Sequence, residues 1–275
     1  MLKTIIAQAI FLLGKIPLLN LLLRTIARIY VEGSIVTIRS GVAAGYKWKR
    51  HHRFVNGYWL GIYELPLQQT LVRELRNGDV FYDVGANAGF FSLIGARCVG
   101  DNGRVFAFEP LPSNAEAVED IFATNNLTNC HLIRAAVTNH NGEVSFSSSD
   151  DSSTAHITSV SRRVKTETFN VPALTLDEFT QKFPLPSLIK IDVEGAELLV
   201  LRGAEKLLRG SNPPKLIIEV HTKDNDDGLW AFLLSMGYHL FSLKRELLTR
   251  RDCVHHLLAL PYCGDNTHKV ANEPL

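Results

Sequence analysis

From Asp79 onward, short apolar runs alternate with stretches of helical periodicity, and this alternation narrows the fold more than any other feature of the chain. "DVFYDVG" reads as a buried strand, after which Phe90, Phe91, Ile94 and Cys98 recur at helical spacing. "GRVFAFEP" follows the turn signal Asp101-Asn102-Gly103, and Pro112 opens a helix running to Asn126. "CHLIRAAV", "LIKIDVEG" and "KLIIEV" supply three more strands. A helix with Val200, Ala204, Leu207 and Leu208 on one face separates the last two and stops at Gly210 and Pro213-Pro214. After a helix around Leu229–Met236, "YHLFSL" and "VHHLLAL" are joined by a polar segment with no helix, so they pair antiparallel. Strands that alternate with helices demand right-handed crossovers. The expected fold is α/β: a mostly parallel sheet with helices on both faces.

With 275 residues and 46% hydrophobic content, the chain can fill one sizeable core with or without a small appendage. A net charge of +1 gives no reason to expect nucleic acid as a partner, and the basic run Lys47–Arg53 reads as a solvated face or hairpin. Cys98, Cys130, Cys253 and Cys263 show no paired spacing, which argues against a disulfide framework or a zinc ribbon and suits a reducing, cytoplasmic setting. Residues 1–30 are strongly apolar but are cut by Lys15 and Pro17 and closed by Arg24 and Arg28. They fall short of the roughly 18 uncharged apolar residues of a spanning helix. Lys3 and the apolar run Thr4–Leu13 resemble a signal peptide, yet no small-x-small cleavage site follows. Helices packed on the domain, an anchor making peripheral membrane contact, and an uncleaved signal all stay open.

In a sheet of this kind, ligands bind outside the carboxyl ends of the strands. "FYDVGANAGFFS" is such an end. It does not fit G-x-G-x-x-G, because Asn87 and Phe90 occupy the second and third glycine positions, and no Walker lysine follows. What remains is D-x-G-x-N-x-G, with "FEP" closing the next strand. Gly85 and Gly89 allow a ligand close to the backbone, Asp83 suits an ammonium group, and Glu109 can accept from vicinal ribose hydroxyls. An adenosine bearing an amino acid tail meets all three conditions. That ligand is S-adenosylmethionine.

"DVGANAGFFS", "FEP", "RAAVTNHNG", "IKIDVEGAELLVLRGAE" and "IIEV" stand in the order seen in FkbM-family S-adenosylmethionine-dependent methyltransferases, and the chain resembles that family over Glu64 to Leu243. The resemblance implies a class I, Rossmann-like domain over residues 64–275, with a seven-stranded, mostly parallel sheet containing an antiparallel strand. Residues 1–63 would be a helical and β-rich extension. It implies O-methylation as the usual reaction. By position it assigns Asp83, Gly85, Asn87 and Gly89 to the methionine end of the cofactor, Glu109 to the ribose, and Ala135, Ala136 and Val137 to the adenine. Glu64 and Asp192 are also expected near the cofactor.

Methyl transfer from a sulfonium is an in-line displacement, so the protein chiefly aligns the reactants. A hydroxyl acceptor needs a base. The candidates are His221, Asp192 and Glu194, with Lys190 and Glu219 nearby. Strand alternation puts Lys190, Asp192 and Glu194 on one side. The bland alternative pairs Asp192 with Lys190 or Lys215 and makes Glu194 a helix cap. His255-His256 lack metal-ligand spacing and no metal is assigned, although Asp192 and Glu219 are of a type that could hold a divalent cation. The expected acceptor is a hydroxyl on a small molecule, glycan or polyketide-like compound. Tyr58, Trp59 and the Ser-rich segment Phe146–Asn170, a flap or hairpin, are expected beside it. Rival readings are a non-catalytic S-adenosylmethionine-binding regulator and a glycan-binding or membrane-attached accessory protein.

Overall fold

The computed structural model describes residues 31–51, 57–148, 155–157, 168–221, 223–249 and 254–262. The expectations for residues 1–30, for His52-Arg53 and for Cys253 and Cys263 lie outside these, as do parts of the Phe146–Asn170 segment. Among the described residues, no helix is long and apolar enough to cross a membrane.

The described residues open with an antiparallel hairpin, β1 (Ile35–Thr37) and β2 (Lys47–Lys49), and then α1 (Leu65–Glu74). There follow β3 (Val80–Val84), α2 (Phe90–Val99), β4 (Arg104–Phe108), α3 (Pro112–Thr124), β5 (Cys130–Ile133) and β6 (Ala136–Val137). Next come β7 (Gly142–Ser148), β8 (Ala155–Ile157), β9 (Thr168–Leu174) and α4 (Leu176–Phe179). The last part runs β10 (Leu188–Ile191), α5 (Glu197–Arg202), α6 (Glu205–Leu208), β11 (Lys215–Glu219), α7 (Lys223–Ser235), β12 (Tyr238–Phe241) and β13 (His256–Pro261).

The main sheet has seven strands in the order β12-β13-β11-β10-β3-β4-β5, with β13 antiparallel to both neighbours. This is the expected architecture, including the antiparallel pairing of the last two runs. Alternation along β3 and β4 sends Phe81, Val105 and Ala107 to one face and Tyr82, Val84, Phe106 and Phe108 to the other. Burying such a side chain is worth about 1.5–3 kcal/mol, so each face supports its own helical layer. Ile38, Trp48 and Tyr58 join the first of these clusters, and the described part of the extension therefore packs into the same core.

Two local expectations are corrected, and the hairpin expected in the Ser-rich segment is extended into a sheet. "CHLIRAAV" is two strands, because the chain turns at Arg134-Ala135 and β6 leaves the main sheet to pair with β9. The single helix expected to carry Val200, Ala204, Leu207 and Leu208 is broken in two at Gly203. A Cβ there would lie 2.0 Å from the Thr138 carbonyl oxygen, so the backbones meet face to face. The Ser-rich segment contributes β7, β8 and β9, which with β6 make a second, four-stranded sheet.

Glu74, at the end of α1, has an inaccessible side chain ringed by Arg73 at 2.8 Å, Arg245 at 2.8 Å and Lys215 at 3.1 Å. Burial opposes its charge, but Arg73, Arg245 and Lys215 overcome this and hold the carboxyl down to about 2. A depressed carboxyl pKa stabilises the fold above the ordinary value of 4.5, and that contribution fades as pH falls from there toward 2. Since the three cationic partners are partly exposed, about 1–2 kcal/mol is expected from this group. Glu74→Gln should flatten the acid limb of stability against pH in urea titrations. An unchanged limb would show that other carboxylates govern it.

Candidate active site

The main sheet reverses its strand order between β3 and β10, and the carboxyl ends of β3, β4, β10 and β11 converge there. Register pairs Asp83 on β3 with Lys190 on β10. Lys190 Nζ lies 3.3 Å from Asp83 Oδ1 and 3.2 Å from Asp192 Oδ2, and only 3% of its side chain is exposed. Ser92 Oγ donates to Asp83 Oδ2 at 2.6 Å. Asp83 is fully buried and faces Ser92 and Lys190, and it is absent from the walls of the clefts described below. Burial would lower the Lys190 pKa, but Asp192 and Asp83 raise it, so the ammonium is charged.

The glycine turn has a backbone reason in addition to the expected one. Gly85 has φ of 79°, and a Cβ would lie 1.8 Å from the Asp192 carbonyl oxygen. Its first demand is thus the close passage of β3 against β10, before any ligand is considered. Asn87, at φ 50°, turns its N–H to Glu109 Oε2 at 2.8 Å. Gly89, at φ 80°, starts α2. Leu111 N–H donates to Glu109 Oε1 at 3.0 Å, and Asn114 Nδ2 is 3.5 Å from the same oxygen. Burial pushes the Glu109 carboxyl up to about 7, against the pull of these donors and with help from nearby Asp83.

Two clefts adjoin at this turn. One, of about 600 Å³, is lined by Tyr58, Tyr63, Phe90, Phe91, Lys190 and Glu219 among others. The second, of about 500 Å³, is lined by Glu109, Pro110, Leu111, Asn114, Phe146 and Val193. Gly85, Asn87, Asp192 and Glu194 belong to both. Ala135, Ala136 and Val137 are buried and line neither, while Trp59 sits under the Arg50 guanidinium, 5.3 Å from it, and Tyr58 reaches the first cleft.

Around His221, at the end of β11, carboxylates gather from three elements. Nδ1 is 2.8 Å from Glu197 Oε1, while Nε2 is 3.4 Å from Glu194 Oε2, 3.4 Å from Glu219 Oε1 and 3.7 Å from Asp192 Oδ1. Burial would lower the imidazole pKa, but Glu197 and then Glu219 and Glu194 raise it to about 11. In the absence of another cation, these carboxylates favour the charged form of the ring at neutral pH. Burial lifts Asp192 to about 6 against Lys190. His256 Nε2 stands 3.5 Å from both Glu64 and Glu219, and these carboxylates overcome burial to raise it to about 9.

Alternation along β10 carries only as far as Asp192. Glu194 lies beyond the strand at φ 54°, and it does not cap α5, whose first residue Glu197 instead accepts from Gly195 N–H at 2.9 Å. Lys215 pairs with Glu74, not Asp192. Glu64, Asn87 and Glu194 are three of the five described non-glycine residues with positive φ, a costly backbone state concentrated at one place. Sequence reasoning missed Glu197, Asn114 and Tyr63. The second acid of "VEGAE" was the available signal for Glu197.

Residues 83–240 match the family described as the methyltransferase FkbM domain. Among curated proteins, the hexuronic acid methyltransferase AglP of Haloferax volcanii is 30% identical over 161 residues, 58% of this chain and 62% of that protein. The alignment thus spans less than two thirds of the relative's length. Methyltransferase FkbM from Methylobacillus flagellatus KT is 16% identical with a TM-score of 0.46, covering 80% of this chain and 63% of that one. Precorrin-6y C5,15-methyltransferase from Geobacter metallireducens GS-15 is 15% identical with a TM-score of 0.44, covering 72% and 86%.

Proposed function

The chain belongs to the FkbM methyltransferase family, and from that premise we propose that it transfers a methyl group from S-adenosylmethionine to a hydroxyl of a glycan or similar polyhydroxylated acceptor. The observation that carries this reading is the meeting of two clefts at Asp192 and Glu194. One cleft has the buried acceptor pair for an adenosine, namely Glu109 and the partnerless Asn114 Oδ1. The other has the aromatic and acidic walls that a sugar ring with hydroxyls can use. The residues therefore fit the cofactor. Glu109 would accept from the ribose hydroxyls, and the backbone of Gly85 and Asn87 would border the methionine end. The bound cofactor supplies the activated methyl group. Glu194, which lines both clefts, accepts the proton of the attacking hydroxyl, and Asp192 helps to align that hydroxyl. The name of the hexuronic acid methyltransferase supports a glycan-related acceptor.

The deciding experiment incubates the protein with labelled S-adenosylmethionine and a panel of hydroxylated glycans. Label in a hydroxyl-derived methyl ether is expected. Cofactor binding by calorimetry with no transfer to any acceptor would turn the reading into that of a non-catalytic binder.

Glu109 gives this reading a pH signature. Its carboxyl is raised to about 7, and ribose hydroxyls would donate to the ionised form, so cofactor binding should release a proton. Affinity should rise with pH up to about 7 and level off above it. Glu109→Ala should remove that dependence and weaken binding by about 1.5–3 kcal/mol. Calorimetry in buffers of different ionisation enthalpy would show it. Equal affinity and unchanged proton release in the variant would remove Glu109 from the site.

A further inference from the structure

We propose that Asp192, Glu219 and His221 bind a divalent cation of the manganese-to-zinc series, which orients two neighbouring oxygens of the acceptor. The inference deepens the methyltransferase reading and rests on it for the acceptor's identity, though not for cation binding itself.

Spacing is the first ground. The donor atoms of Asp192, Glu219 and His221 lie within 4.8 Å of one another. Nε2 of His221 stands 3.4–3.7 Å from three carboxylate oxygens. A charge-assisted hydrogen bond would close to about 2.7–2.9 Å. Adjacent donors held about 2.1 Å from a common ion are instead roughly 3.0–3.4 Å apart, across octahedral to tetrahedral angles. The three acids surround the nitrogen at ligand spacing, not at bonding distance.

The second ground is independent of that spacing. Glu197, on α5 and with no exposed side-chain surface, accepts from His221 Nδ1 at 2.8 Å. A metal-binding histidine has this arrangement: the far nitrogen is fixed by a buried carboxylate and the near one is aimed at the ion. An ion would take the place of the Nε2 proton. Access is provided as well, since Asp192, Glu194 and Glu219 line the larger cleft. One imidazole with two carboxylates favours first-row transition ions over calcium. It leaves coordination positions for the acceptor and leaves Glu194 as the proton acceptor.

The test uses the full chain, stripped with a chelator and then titrated with Mn2+, with the free-ion signal read by electron paramagnetic resonance. Wild type should bind Mn2+ at one site, with Zn2+ in competition. Glu219→Gln and His221→Gln should each weaken binding by about 10–100-fold, whereas Glu119→Gln, remote and exposed, should not. Circular dichroism would confirm that the variants are folded, and Asp192→Asn replaces any that is not. Wild type that binds neither ion with S-adenosylmethionine present, or binding that survives both substitutions, overturns the site and leaves His221 as a counter-charge to its acids. Methyl transfer that persists in chelator, with no Mn2+ binding, defeats the cation site and spares the methyltransferase reading. Mn2+ binding without transfer to any hydroxyl does the reverse.

Discussion

Lys190→Met is expected to destabilise the protein by about 3–5 kcal/mol, because it leaves a buried carboxylate without its cation. Asp83 is wholly inaccessible, and its Oδ1 has Lys190 as the charged neighbour at 3.3 Å. Asp192 loses the same partner. Adding Asp83→Asn to Lys190→Met should recover a large part of the loss, since the uncompensated charge then disappears. Chemical denaturation of the two single variants and the double variant measures this directly. A loss below about 1 kcal/mol in Lys190→Met would mean that the contact between Asp83 and Lys190 does not act as a buried ion pair.

The other large effect is kinetic. Glu194→Gln and Asp192→Asn should each lower turnover by about 10²–10⁴-fold, the range for removing a positioned acid or base. Cofactor affinity should fall far less than turnover, since Glu109, Asn114 and the glycine turn supply other walls of the second cleft. The split between turnover and affinity is the informative part. A sugar hydroxyl attacks poorly while it keeps its proton, and these two carboxylates are the ones common to both clefts. Near wild-type turnover in Glu194→Gln, on an acceptor that the wild type methylates, would show that the proton leaves by another route.

How far the sequence could be read depends on the range of each interaction. The strands of the main sheet and the start of α3 at Pro112 were legible because periodicity and capping are local. The antiparallel β12–β13 pair followed from the lack of a helix between them. The break at Gly203 was not legible, since its cause is the Thr138 carbonyl on a distant turn. Nor was the role of Asp83. A carboxylate at a strand end looks outward-facing until the register sets Lys190 opposite it. The acids around His221 were individually visible, but Glu197 read as an ordinary first-turn acid until α5 brought it to Nδ1. Positive φ at Glu64 and Glu194 left no mark, since glutamate is not a residue one expects there.

The place of β3 between β4 and β10 has a consequence for how the chain reaches this state. During synthesis β3 can pair with β4 early, but β10 emerges only after β5, α4 and the whole four-stranded sheet have been made. Until then one edge of β3 carries open hydrogen-bonding groups and apolar side chains, the kind of surface that invites association between nascent chains. Pairings this distant in sequence also slow folding. The seam joining Asp83 to Lys190 is where the half built on β3, β4 and β5 meets the half built on β10, β11 and β13, so the candidate active site is also the point where the two lock together. Damage at that seam should show in cells first as loss of soluble protein, and only afterwards as loss of activity.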